Sequence, residues 1–249
     1  MKFTAAILSA LPLLALAAPT ASPAAVTAAD AIELELFKKS MLEGYGNLFK
    51  KGIQEREAEG AIEARQLFSS TRNELTAGRC ADAIVIFARG TTETGNVGTV
   101  LSGPLFRAIS DETNGRAIFQ GVNDYPADIA GYLAGGSRSG ARNMAGLVTR
   151  ARSQCPSGKV FMIGYSQGAQ VTHLAGDLIP TADRAAVGGV VVFGDPNRGD
   201  RFPGTLNNNV LTICDLADPI CYGIPLPIGE HLNYGPDAPQ AARWIAQRV

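Results

Sequence analysis

The sequence predicts an α/β protein, a three-layer sandwich with a central five-stranded parallel sheet, and three observations carry that prediction. From residue 83 onward, short apolar runs alternate with stretches whose apolar residues recur at helical period, the pattern of strands joined by crossover helices. One apolar run, residues 160–163, passes directly into Gly164-Tyr165-Ser166-Gln167-Gly168 and then into a helical stretch. The chain, 249 residues long and 46% hydrophobic, can bury one substantial core, a size at which α/β folds commonly form a single domain.

Strands are expected at 83–88, 117–122, 160–163, 189–193 and 210–214. The first, Ala-Ile-Val-Ile-Phe-Ala, is wholly apolar and reads as buried. Between them lies a helix at 98–109, which Pro104 is expected to interrupt because proline lacks the N–H that a helix interior uses. A second helix is expected at 139–154, with Met144, Leu147 and Val148 on one side, and a third at 169–178. Residues 237–249 form a closing helix that carries the only tryptophan, Trp244. Strand, helix and strand in succession give parallel neighbours.

The N-terminal part is organised differently. Lys2, the apolar run 3–16 and the small-x-small site Ala15-Leu16-Ala17 predict a signal peptide at 1–17, so a secreted chain starting near Ala18. Pro12 breaks that run, which is shorter than the roughly 20 residues that span a bilayer, and no later stretch is long and apolar enough to span. Residues 19–29 read as a linker. In 30–59, Leu34, Phe37, Met41, Tyr45 and Leu48 fall at helical spacing among charged residues and predict an amphipathic helix or pair, weakened by Gly44 and Gly46. Residues 60–78 carry few strand signals, and the compact body is expected to begin near Cys80 within a domain spanning 66–249.

A net charge of -1 and the lack of a long basic run argue against nucleic-acid binding. A soluble, secreted monomer is expected. Four cysteines allow three pairings. Cys80 and Cys155 each stand just before a strand, so parallel neighbours would present both at one sheet edge, while Cys214 and Cys221 would close a small ring. On the loop-entropy model the first bridge stabilises by about 4 to 5 kcal/mol and the second by about 2 to 3. The spacing lacks the paired C-x-x-C units of a zinc site, and neither metal nor cofactor is expected.

Chemistry enters through G-x-S-x-G, the nucleophile elbow. Small residues flank the serine because the strand-to-helix turn is too sharp for side chains there, and the hydroxyl stands at a helix N-terminus. Serine is a poor nucleophile until a base takes its proton. Of the two histidines, His173 lies about two helical turns beyond Ser166, on the order of 10 Å away, and reads as an ordinary helix side chain. His231, in the irregular loop after the last strand, is the expected base. The acid that receives the other imidazole N–H is expected to be Asp218, near the middle of the Cys214 to Cys221 ring. Asp215 reads as a solvated loop charge and Asp195, in Gly194-Asp195-Pro196-Asn197, as a turn former. Oxyanion donors are expected from the Gln167 N–H and from Thr91, which can give both N–H and hydroxyl. The loop holding Thr91 lacks nucleotide-binding glycine spacings.

These residues resemble the cutinase family of secreted serine esterases. The resemblance runs from about Cys80 to the C-terminus and rests on residues 88–96 (Ala-Arg-Gly-Thr-Thr-Glu-Thr-Gly-Asn), Gly164-Tyr165-Ser166-Gln167-Gly168, the Cys214 to Cys221 segment with Asp218, and His231-Leu232-Asn233-Tyr234-Gly235-Pro236-Asp237. It implies an α/β-hydrolase fold, the triad Ser166, Asp218 and His231, an oxyanion hole of Thr91 and Gln167, and disulfides Cys80 to Cys155 and Cys214 to Cys221. The family often has serine where this chain has Thr91, and the Asn123-Asp124-Tyr125-Pro126-Ala127 segment looks closer to other branches, including acetylxylan esterases. Tyr125 and the apolar loop residues Ile224, Leu226 and Ile228 are expected to contact substrate: a cutin-type polyester, a lipid-like ester or, on the alternative reading, an acetylated polysaccharide. A non-enzymatic binding protein on the same fold is the remaining reading, set aside because the triad is intact. Residues 18–65 lie largely outside the resemblance. Glu63-Ala64-Arg65-Gln66 resembles the segment before mature cutinases, so 18–65 read as a propeptide cut near Arg65, in preference to a lid laid over the apolar loops near Ser166.

Overall fold

The computed structural model of the chain describes residues 69–249 together with Glu43, Gly44 and Asn47, which are helical and exposed. The expected signal peptide, the linker, the apolar stripe from Leu34 to Leu48 and the Arg65 site all lie outside the described residues. Five strands form one parallel sheet: β1 (Ala83–Ala88), β2 (Ala117–Gly121), β3 (Lys159–Tyr165), β4 (Val187–Phe193) and β5 (Val210–Ile213), in the order β2-β1-β3-β4-β5. Helices α1 (Ser102–Glu112), α2 (Ile129–Leu133), α3 (Arg138–Gln154), α4 (Gln167–Leu178) and α5 (Ala238–Ala246) accompany it.

Strand residues alternate between two cores, which is why the strands read as unbroken apolar runs. Ile84, Ile86, Val160, Met162, Val190 and Val192 face the core shared with Met144 and Val148 of α3 and Val171 of α4. Val85, Phe87, Phe161, Ile163, Val191 and Phe193 face the other core, with Leu105 and Phe106 of α1 and Ile245 of α5. Trp244 lies over β4 at Gly189, where a Cβ would come within 2.4 Å of its ring.

The chain runs from β1 outward to β2, then crosses back over β1 to β3 and proceeds the other way. Crevices open at the carboxyl ends of strands where the order reverses. Here that point lies between Ala88 and Gly164, which are paired in register.

Two local expectations differ from what is found, and one further helix is present. Pro104 does not interrupt α1, because the helix begins at Ser102 and Pro104 falls in its first turn, where N–H groups have no intrahelical acceptor. Helix α2 has no clear periodic signal in five residues; it forms because the Asp128 carboxylate caps it, accepting from Gly131 N–H at 2.6 Å. The compact body begins before Cys80: Leu75 is fully buried in the core, and Asn73 forms an antiparallel bridge to Gln120 on the edge strand. Disulfides join Cys80 to Cys155 and Cys214 to Cys221, with sequence separations of 75 and 7. No helix among the described residues is long and apolar enough to cross a membrane.

Candidate active site

Strand β3 delivers Ser166 at the reversal point. Its backbone is held at φ 57 and ψ -121, a conformation that costs a non-glycine residue about 1 to 3 kcal/mol, and its N–H donates to Phe193 O at 3.0 Å. The two flanking glycines are sterically required. A Cβ at Gly164 would lie 2.3 Å from Gly168 O, and one at Gly168 would lie 2.0 Å from Ala88 O.

Ser166 Oγ lies 2.9 Å from His231 Nε2, and His231 Nδ1 lies 2.8 Å from Asp218 Oδ2. A carboxylate accepts only, so Nδ1 carries the proton and Nε2 is left as the acceptor for the serine hydroxyl. His231 and Asp218 are completely buried and Ser166 is 1% exposed. The His231 backbone is pinned by two bonds: its N–H donates to Ile228 O at 3.2 Å, and its carbonyl accepts the Tyr165 hydroxyl at 2.8 Å. Gly194, at φ 51, makes room for the imidazole, since a Cβ there would come within 2.9 Å of the His231 and Tyr234 rings.

Asp218 caps the short turn Pro219–Tyr222, its Oδ1 accepting from Ile220 N–H at 2.9 Å. Oδ2 accepts from His231 and also from the Tyr234 hydroxyl at 2.6 Å. Burial pushes this carboxyl up, but the bonds from His231, Tyr234 and Ile220 outweigh it and hold Asp218 below the usual carboxylate range. Burial and the neighbouring Asp218 carboxylate push the Tyr234 phenol up, so it stays a donor.

On the other side, the loop after β1 brings Thr91 beside the elbow. The Gln167 side-chain amide donates to Thr91 Oγ1 at 3.2 Å and to Asp128 O at 2.7 Å. Thr91 O–H thus accepts and keeps its proton to give. Its backbone N–H has no acceptor among the described residues. The Gln167 N–H opens α4, where no carbonyl of the same helix lies one turn back to accept it. Three unspent donors therefore sit around Ser166. The loop is propped from beneath by Glu93, 4% exposed, whose carboxylate accepts from the N–H groups of Gly90, Thr99 and Val100 at 2.7, 2.8 and 2.8 Å. Arg89 Nε donates to Glu93 O at 2.7 Å.

Tyr125 is 5% exposed, its hydroxyl donates to Arg89 O at 3.0 Å, and its ring lies under the Arg89 guanidinium at 4.9 Å. Its polar end is committed to the backbone and its face to a cation, contacts that support the loop. Ile224 and Ile228 are exposed and Leu226 half-buried in the segment leading to His231. His173 faces away from this chemistry, its Nε2 paired with Asp195 Oδ2 at 2.9 Å and its ring stacked on Phe202. Asp195 also accepts from Asn197 N–H at 2.9 Å, the turn bond expected of it, and Asp215 is exposed and accepts from Ala217 N–H. Glu93, Arg89 and Tyr165 were not singled out from sequence for these supporting contacts. For Arg89 and Glu93 the available signal is a pair of opposite charges four residues apart in the short loop that follows a buried strand.

A family model described as Cutinase matches residues 79–249. A cutinase of Coprinopsis cinerea is 49% identical over 188 residues, covering 76% of this chain and 88% of its own length. A cutinase of Botryotinia fuckeliana is 39% identical over 179 residues, covering 72% and 89%. Among solved structures, a Trichoderma reesei cutinase in complex with a phosphonate inhibitor superposes with a TM-score of 0.70 at 30% identity, covering 87% of this chain and 97% of that one. An acetylxylan esterase superposes with a TM-score of 0.52 at 21% identity, covering 68% and 99%, a likeness of fold.

Proposed function

The chain belongs to the cutinase family of serine ester hydrolases, and from that premise we propose that Ser166, His231 and Asp218 cleave ester bonds through an acyl-serine intermediate. The observation that carries the reading is the unbroken relay from Ser166 Oγ through His231 to Asp218, at 2.9 and 2.8 Å. His231 Nε2 takes the hydroxyl proton as Oγ attacks the ester carbonyl, and Asp218 stabilises the imidazolium. The carbonyl oxygen becomes an oxyanion among the Gln167 N–H and the Thr91 N–H and O–H, each such donor worth about 3 to 4 kcal/mol of barrier. Collapse expels the alcohol, protonated by His231. A water then gives its proton to His231, attacks the acyl carbon and frees the acid and Ser166.

The substrates proposed are cutin-type polyesters and short to medium acyl esters. Exposed Ile224 and Ile228 and half-buried Leu226 form an apolar rim leading to the base, matched to an acyl chain and poorly matched to a hydrated sugar. The two disulfides suit an oxidising compartment, and with the 1–17 segment they support secretion. The test compares rates on acetyl esters with those on butyryl to palmitoyl esters, and on a polyester film beside acetylated xylan. Activity that persists on the longer acyl chains and on the film supports this reading; activity confined to acetyl groups on xylan replaces it.

A further inference from the structure

The carboxylate that orients His231 is shared with another donor. Asp218 Oδ2, the oxygen that receives His231 Nδ1–H at 2.8 Å, also receives the Tyr234 hydroxyl at 2.6 Å. Tyr234 is 1% exposed, and its ring stands edge-on to Tyr165, Phe193 and His231, with centroids 6.1, 5.9 and 6.3 Å away. Its oxygen also accepts from Asp215 N–H at 3.2 Å, and of the two acceptors within reach of its proton, Asp218 Oδ2 at 2.6 Å is a short charged one and the disulfide sulfur of Cys221 at 3.6 Å a weak one. It lies three positions after the base, just beyond the short turn Gly229–Leu232 that carries His231.

We propose that Tyr234 is a positioning residue for the ester hydrolysis: by donating to Asp218 Oδ2 it fixes the carboxylate rotamer and draws off part of the negative charge that His231 would otherwise meet. This rests on the triad assigned above. Two donors on one oxygen compete for its charge. With the phenol in place the imidazolium is stabilised less, and His231 stays neutral, and so able to accept the serine proton, down to lower pH. The phenol also fixes the carboxylate from the side opposite Ile220, whose N–H holds Oδ1. Rotation of Asp218 off the imidazole would break one bond or the other. The remaining ionisable groups that face this cluster are Asp215, Glu230, Asp237 and Tyr165, the last donating to the His231 carbonyl. Removing the phenol oxygen alone leaves all four side chains in place and costs Asp215 only the acceptor of its backbone N–H.

The test is Tyr234→Phe in the full-length chain, which keeps the ring and its packing. The acid limb of kcat/KM moves to higher pH by about half a unit or more, since Oδ2 then holds the imidazolium more strongly, and plateau kcat falls on the order of tenfold from the loosened carboxylate. A merely structural tyrosine would lower the melting temperature without moving that limb, and an unmoved limb overturns the proposal. Should the phenylalanine variant fail to fold, 3-fluorotyrosine at position 234 retains the ring and hydroxyl as a stronger donor. The limb then moves to lower pH, and movement the other way, or none, overturns it. Asp218→Asn, measured alongside, separates the two claims. If it leaves kcat intact the triad itself fails and the role of Tyr234 with it. If it abolishes kcat while Tyr234→Phe changes nothing in the pH profile, only the role of Tyr234 is lost.

Discussion

The side-chain amide of Gln167 donates to the hydroxyl of Thr91 at 3.2 Å, so the two proposed oxyanion donors, one on the loop after β1 and one opening α4, are fastened to each other. The bond orients the threonine hydroxyl as an acceptor toward Gln167 and leaves its proton free to donate elsewhere.

That geometry makes the hydroxyl at position 91 the quantity to vary. Thr91→Ala is expected to lower kcat by about 10² to 10³ with little change in KM, since the donor acts only on charge that develops in the transition state. Thr91→Ser keeps the hydroxyl and should stay within a few-fold of the parent. Steady-state kinetics on a soluble butyryl ester reads both, and equal losses in the two variants would assign the effect to loop packing.

The two histidines give a matched pair. Ser166→Ala and His231→Ala are each expected to cost on the order of 10⁴ to 10⁶ in kcat, because the relay acts as a unit. kcat/KM should rise in a single step across the range where imidazole titrates, and an optimum below about pH 5 contradicts a histidine base. His173→Ala should change kcat less than tenfold while lowering stability by about 1 to 3 kcal/mol, since it strips the buried Asp195 carboxylate of its ring partner. Thermal melts beside kinetics separate the two effects, and equal kinetic losses at both histidines refute the assignment of the base.

The contrast between those histidines was legible in sequence. Seven residues of helix set His173 too far from Ser166, and a loop after the last strand is free to bring His231 to it. The sheet was legible too, because strands covered on both faces become continuous apolar runs such as residues 83–88. Less visible was anything carried by a single long-range bond. That Asp128 would cap a five-residue helix, that Tyr125 would turn its hydroxyl onto Arg89 O, and that Leu75 would reach the core all depend on tertiary neighbours distant in sequence. The ring of Tyr125 packs against Gly140 and Arg89, neighbours that its position in the sequence does not announce.

Glu93 should behave as a structural anion beneath the oxyanion loop. Its two oxygens accept three backbone N–H groups, and a glutamine has only one acceptor oxygen, so its NH₂ would face at least one of those donors. Glu93→Gln is expected to destabilise by about 1 to 3 kcal/mol and to lower kcat more than tenfold, through displacement of Gly90 and hence of Thr91. Denaturant unfolding and kinetics check it. A stable, fully active variant would show that the loop holds its shape without the charge.

Acid tolerance should depend on Asp183. The Thr149 hydroxyl and the Arg152 guanidinium, both at 2.5 Å, hold its carboxyl below the usual range against the opposing effect of burial, with Thr149 the larger influence. A carboxyl depressed in the folded state stabilises above its unfolded value and loses that contribution as pH falls through its folded one. Asp183→Asn should therefore melt lower than the parent at neutral pH, with the gap closing below about pH 4. A gap that persists unchanged into acid would show that the pairing contributes nothing.

The N-terminal boundary of the working enzyme can be bracketed from the oxyanion loop outward. Ser70 O accepts from both Asn96 and Val97 N–H at 3.0 Å, while Arg72 N–H donates to Asn96 Oδ1 at 2.8 Å and Arg72 O accepts from its Nδ2 at 3.0 Å. Asn96 lies five residues past Thr91, and loss of residues 70–72 would strip Asn96 and Val97 of these partners and release the end of that loop. Processing that removes a propeptide is therefore expected to stop before Ser70, and a cut after Arg65, leaving Gln66 first, satisfies that limit. A chain beginning at Gln66 is expected to retain full kcat, whereas one beginning at residue 73 should lose at least tenfold and melt lower. N-terminal sequencing of the protein recovered from its host locates the cut. A mature chain starting near Ala18, with rates on soluble ester that rise when residues before Gln66 are deleted, would replace the propeptide with a lid.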